Sequence, residues 1–159
     1  MKAGKWTLII VEIEGFNLLV PTSYRDATNE KIDAHTGGCG PGGLGDYLVP
    51  DTNWGESMFL ACRPHDWMYW EGETPEDKVI ADLVFIWNML IVIQTIPYTP
   101  YGIEDQTLDI IRLRRIMTYY TAVSYGGGRS FSKGVTPKKE DIEYKFLVND
   151  TEPKDPRNR

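Results

Sequence analysis

The chain contains two histidines, and one of them, His65, stands directly before Asp66 in the run Ala61-Cys62-Arg63-Pro64-His65-Asp66-Trp67-Met68-Tyr69. Adjacent residues on a helix point about 100° apart, so these two side chains can address neighbouring parts of one site without bonding each other. A ring nitrogen able to take a proton, beside a hard oxygen ligand for a cation, suits metal-assisted hydrolysis. Upstream lies a glycine-rich run, Gly37-Gly38-Cys39-Gly40-Pro41-Gly42-Gly43. Such a run leaves backbone amides and carbonyls free to face a ligand.

The elements that must position these groups can be read from patterning. A first major helix is expected from about Asn53 to Trp70, kinked at Pro64 or properly beginning near Arg63, because proline removes one helical hydrogen bond. Gly72 ends it. Thr74-Pro75-Glu76-Asp77 then supplies an N-cap, a proline at the first helical position and acids in the first turn. That second helix should run to about Thr95, before Pro97. A third should start at Asp105 or Thr107 and end at Gly126-Gly127-Gly128. Trp6 to Ile13 and Phe16 to Val20, joined by Glu14-Gly15, read as a β-hairpin. Tyr24 to Thr36 is polar and reads as loop. The expected fold class is mainly α with a small β-hairpin: an antiparallel helix pair carrying the site, a third packed helix and a glycine-rich loop. Residues 1–137 form a single domain in this reading, with 138–159 a polar, flexible tail.

Register then picks out a partner for His65. It lies seven residues before Gly72, and Asp82 lies seven after Pro75. At 1.5 Å of rise per residue, each sits roughly 10 Å from the turn, at the same depth. An acid on an otherwise apolar helix needs a partner, so a His65–Asp82 pair is expected. Tyr69, four residues after His65 and on the same face, can donate its hydroxyl to Asp82. In this arrangement Asp82 orients the imidazole and the other ring nitrogen deprotonates a water. Asp66 would bind a hard cation completed by loop carbonyls, and a loop amide would help hold the oxyanion. The bland reading of Asp82 is a buried acid bonded to His65 or Tyr69 for structure alone.

Composition narrows the classes. The chain has 159 residues, 42% hydrophobic and 25% charged, with a formal net charge of −6. These are ordinary values for one globular domain with a real core. The acidic balance argues against nucleic acid as a partner. Val79 to Ile96 is the longest apolar stretch, but Asp82, Asn88 and Gln94 interrupt it, so it reads as a buried helix and no transmembrane segment is expected. No signal peptide is expected either. Two histidines are too few for a His-Asp phosphohydrolase, and the ligand spacing of a structural zinc site is missing. Trp67, Trp70, Trp87 and Phe85 read as core. Arg112, Arg114 and Arg115 read as a solvated helix face, with a lipid-headgroup patch as the alternative. His35 reads as an exposed loop position. The two cysteines can be buried thiols or a single bridge.

These motifs resemble the phospholipase A2 superfamily. Its secreted members carry Cys-Gly-x-Gly-Gly as a calcium loop, matched by Cys39-Gly40-Pro41-Gly42-Gly43. They carry Cys-Cys-x-x-His-Asp-x-Cys-Tyr, matched by the run from Ala61 to Tyr69. A second Asp on an antiparallel helix is matched by Ala81-Asp82. The resemblance implies calcium as cofactor, held by Asp66 and the carbonyls of Gly38, Gly40 and Gly42. It implies His65 as general base, Asp82 as its orienter and the Gly40 amide as an oxyanion donor. It also implies a Cys39–Cys62 disulfide, while the positions of a second family bridge are both replaced, as Met68 and Ala81. The chain departs from the family in a longer stretch between loop and His65, in Pro64 beside the base, and in a shorter span from His65 to Asp82.

Over roughly Trp6 to Phe131 the chain is also similar to an uncharacterised phage and prophage family. The likeness rests on His65-Asp66-Trp67-Met68-Tyr69, Ala81-Asp82-Leu83-Val84-Phe85 and Tyr120-Thr121-Ala122-Val123-Ser124-Tyr125-Gly126-Gly127. Two functions are therefore expected from different classes. One is a calcium-dependent hydrolase of phospholipid esters working at a membrane surface. The other is a non-enzymatic phage structural or accessory protein that keeps the scaffold, with virion components as partners, in a virion or host cytoplasm.

Overall fold

The computed structural model describes residues 1–37, 52–53, 56–95, 105–129 and 131. It is mainly helical, with a small antiparallel sheet at the N-terminus. Strands β1 (Lys2–Ala3), β2 (Trp6–Ile13) and β3 (Phe16–Pro21) pair in that order. Glu14 and Gly15 join β2 to β3 with φ of 51° and 85°. Two positive φ values in a two-residue loop give the twist that a tight hairpin needs, and Gly15 takes its value without steric cost. Register runs from Leu8 opposite Pro21 to Ile13 opposite Phe16, which sends Leu8, Leu18 and Val20 into the core.

Helices α1 (Thr22–Arg25) and α2 (Asn29–His35) follow. The polar stretch from Tyr24 to Thr36 is thus not simply loop. Thr28 caps α2 by accepting the Lys31 N–H, and buried Ile32 and Tyr24 anchor the two short helices. So little apolar periodicity is invisible to a pattern search but suffices beside an existing core.

The first major helix is also shorter than expected. A small ladder, β4 (Thr52–Asn53) with β5 (Glu56–Ser57), occupies the region read as its start. Helix α3 spans Phe59–Glu71 and continues through Pro64 without stopping there. Pro64 is buried, as are Ala61, Cys62, His65, Met68 and Tyr69, so packing offsets the lost helical hydrogen bond. Gly72 caps its end.

Helix α4 (Pro75–Thr95) and helix α5 (Asp105–Gly126) match the expected second and third helices. A reciprocal cap starts α4: Thr74 Oγ1 accepts the Asp77 N–H, while Asp77 Oδ2 accepts those of Glu73 and Thr74. This is capping-box logic with aspartate in place of glutamate. A 3₁₀ turn, Gly127–Arg129, follows α5.

The sheet packs on α4 through Leu18 and Val20, which share a core with Met58, Trp67, Phe85, Met89 and Tyr119. Asn88, fully buried, locks the contact. Its side chain accepts the Leu19 N–H at 2.8 Å and donates to the Leu19 carbonyl at 2.9 Å. The amide thus pairs the free edge of β3 as a further strand would. Among the described residues, no helix is long and apolar enough to cross a membrane.

Candidate functional site

Helices α3 and α4 fold back on each other across Gly72–Thr74, and the expected register holds. His65 and Asp82 meet at equal depth, each about 4% exposed. His65 Nε2 lies 3.2 Å from Asp82 Oδ1, and the Tyr69 hydroxyl donates to the same oxygen at 2.6 Å. The imidazole is held between rings, with centroids 4.0 Å from Tyr69 and 4.5 Å from Phe85. A carboxylate accepts only, so the neutral imidazole carries its proton on Nε2 and keeps a lone pair on Nδ1.

The other oxygen of Asp82 is taken by a residue that motif reading overlooked. Lys78 Nζ donates to Oδ2 at 2.8 Å, and also to the carbonyls of Val123 at 3.0 Å and Ser124 at 3.3 Å. The helix C-terminus carries partial negative charge, so a buried ammonium fits there. The Tyr69 hydroxyl also stands 3.2 Å from the Val123 carbonyl. The last turn of α5 therefore reaches the site by its backbone. Close approach requires Gly127, where a Cβ would stand 2.5 Å from the Tyr69 oxygen. The spacing of Lys78 and Asp82, four apart on one helix face, was the signal that could have found the pair.

Electrostatics follow from this geometry. Burial alone pushes the His65 pKa down, but Asp66 and Asp82 on its two sides outweigh that and hold it above 6.5. Burial pushes Asp82 up, yet His65 and Lys78 outweigh it and hold the carboxyl below the usual value. The charged form of each partner stabilises that of the other.

Asp66 faces a different way. Its Oδ1 is 3.7 Å from His65 Nδ1, an ion-pair distance too long for a hydrogen bond. Its Oδ2 accepts the Gly37 N–H at 2.9 Å, and its side chain is 27% exposed. Gly37 is where the described chain enters the glycine-rich run. The expected donors Gly38, Gly40 and Gly42, the Gly40 amide and the tail 138–159 lie outside the described residues. Among the described residues, no three His, Cys, Asp or Glu side chains form a metal-binding group. Cys62 is disulfide-bonded; the other cysteine of the chain is Cys39, also outside the described residues.

Three readings of surroundings need correction. Of the three arginines on α5, Arg112 and Arg115 are buried, and Arg115 donates to the Tyr119 hydroxyl at 3.2 Å while lying over its ring. Only Arg114 belongs to an exposed face. Trp87 is half exposed, although Trp67 and Phe85 are core. His35 ends α2 and stacks on Trp70 at 3.9 Å, so it is a packing residue on a helix.

The chain matches no protein-family model, no curated protein and no solved structure. Function must therefore be argued from the site itself.

Proposed function

We propose that this chain is an ester hydrolase of phospholipase A2 type that acts on phospholipids at a membrane surface. The observation that carries the reading is the orientation of His65, whose Nε2 is tied to Asp82 while Nδ1 is left on the Asp66 side. A base needs one nitrogen held and the other available, and a buried, ring-packed imidazole offers that without rearrangement.

In this mechanism, neutral His65 accepts a proton through Nδ1 from a water attacking the ester carbonyl. Asp82 stabilises the resulting imidazolium through Nε2–H, and Tyr69 and Lys78 keep Asp82 ionised and fixed. His65 then returns the proton to the departing alkoxide, so acid, alcohol and unchanged enzyme result. Asp66 fits as one donor to a calcium ion, being a partly exposed hard carboxylate beside the backbone at Gly37. When bound there, calcium would supply positive charge against the developing oxyanion.

A second reading rests on Lys78. Its ion pair with Asp82 and its hold on two α5 carbonyls would serve a scaffold equally well. On that reading the chain is a non-enzymatic accessory protein, such as a phage component. Fatty-acid release from mixed phospholipid vesicles, with calcium and with chelator, separates the two. The hydrolase reading expects calcium-dependent release that His65→Gln lowers by roughly 10²–10⁴-fold. Folded wild-type protein that releases nothing in either condition would favour the scaffold.

A further inference from the structure

Between Glu76 and Gln94 the outward face of α4 is apolar. Val79, Leu83 and Trp87 are 49%, 52% and 51% exposed, and from Val79 to Thr95 the only charged side chain is Asp82, which points inward. Helix α5 presents a similar row, with Ile110, Leu113 and Met117 between 51% and 59% exposed. Further along the helix pair, a groove of about 310 Å³ is lined by Leu90, Ile93 and Gln94 of α4 and by Asp109, Arg112, Leu113 and Ile116 of α5, so the α5 row reaches it through Leu113.

We infer that this face is a two-fold interface between two copies of the chain, built on α4 against α4. Size is the first argument. Six large side chains half open to solvent expose on the order of 500–600 Å² of apolar surface. That is the upper end for patches on monomers, and near the roughly 800 Å² per partner of a standard interface once a polar rim is added.

Shape is the second. Val79, Leu83 and Trp87 form one i, i+4 ridge, the row that interlocks when like helices cross at about −50°. A two-fold axis at Leu83 sets Val79 of one copy against Trp87 of the other. The smallest side chain of the row then meets the largest at both ends, which is the complementarity an isologous contact needs.

Charge decides against a lipid occupant. Helices that lie on membranes flank their apolar face with lysine and arginine. Here Arg114 is the one exposed cation on the described part of the two helices, Glu76 and Asp109 are exposed acids, and the chain carries −6 overall. This face lacks the flanking cations that hold a helix on an anionic bilayer, whereas the uncharged ridge of Val79, Leu83 and Trp87 can meet itself. The interface lies away from the His65 site, because Asp82 is buried within the chain while Leu83 is exposed on another side of α4.

Sedimentation velocity on the full chain across the micromolar range tests this, with circular dichroism to verify folding. Wild type should reach twice the 18.2 kDa chain mass. Leu83→Glu should weaken association by roughly 30-fold or more with an unchanged spectrum, as expected for the centre of an interface. Leu113→Glu provides a second variant on the other helix and should weaken it less. A monomeric wild type overturns the inference, as does a Leu83→Glu chain that folds and still dimerises. Flotation of a monomeric wild type with uncharged phosphatidylcholine vesicles, abolished by Leu83→Glu, would overturn it in favour of a lipid surface.

Discussion

Beside the apolar side chains that it gives to the core, helix α4 carries two contrasting rows. Its inward row, Asp77, Lys78 and Asp82, is charged and buried, while its outward row, Val79, Leu83 and Trp87, is apolar and half exposed. Every charge of the inward row is answered within the chain: Asp77 by the amides of Glu73 and Thr74, and Lys78 and Asp82 by each other and by His65, Tyr69 and the end of α5. The outward row is the one proposed above to meet a second copy of the chain. Buried charges survive only when fully partnered, so the inward face reports a site assembled internally. An exposed apolar ridge reports association.

Removing one member of the inward row should do the most damage. Lys78→Met leaves Asp82 short of its ion-pair partner and two α5 carbonyls short of a donor. It should cost about 3–5 kcal/mol in urea unfolding. A loss below about 1 kcal/mol would mean that the network is not what holds α5 to α4. Tyr69→Phe removes the hydroxyl that donates to Asp82 and stands against the Val123 carbonyl, and should cost about 1.5–3 kcal/mol.

The inward row also sets a pH window. Asp77 is held below 3.8, its burial outweighed by the backbone amides it caps, and Asp82 is likewise low. Their contribution is present above pH 3.8 and is lost as pH falls through their folded values. His65 is held above 6.5, so its contribution is complete below 6.5 and is lost as pH rises through its folded value. Thermal unfolding across pH should show a plateau with a limb on either side, worth about 1.4 kcal/mol per unit of each shift. Stability that climbs through neutral pH would contradict this assignment.

The smallest effect belongs to the outward face. Under conditions in which wild type is monomeric, Leu83→Glu should change unfolding free energy by no more than about 0.5 kcal/mol, because half of that side chain already meets water. A loss as large as that of Lys78→Met would show that the ridge is packed within the chain, and would erase the contrast between the two faces.

Much of this was legible locally. The hairpin followed from Glu14-Gly15 between apolar runs. The start of α4 followed from Thr74, Pro75 and Asp77, and the meeting of His65 with Asp82 from equal distances to one turn. Each depends on residues close along the chain or on the fixed rise of a helix. Helix α2 was missed because Thr28 and Ile32 are its main anchors, too few to make a period. The early start drawn for α3 failed because β4 and β5 pair across only two intervening residues, Trp54 and Gly55.

Sequence alone determined a mainly helical chain with a terminal hairpin, and it named His65, Asp82 and Tyr69 as neighbours, because periodicity, capping and helical rise act over short separations. Tertiary structure alone decided how Asp82 divides its two oxygens, one to His65 and Tyr69 and one to Lys78. It also decided that the last turn of α5 closes that network by its carbonyls, that Arg112 and Arg115 are buried, and that Trp87 is not. Those outcomes depend on the rotation of α5 about its axis against α4, which is fixed by packing between residues 45 and 46 apart in the chain, where no local rule reaches.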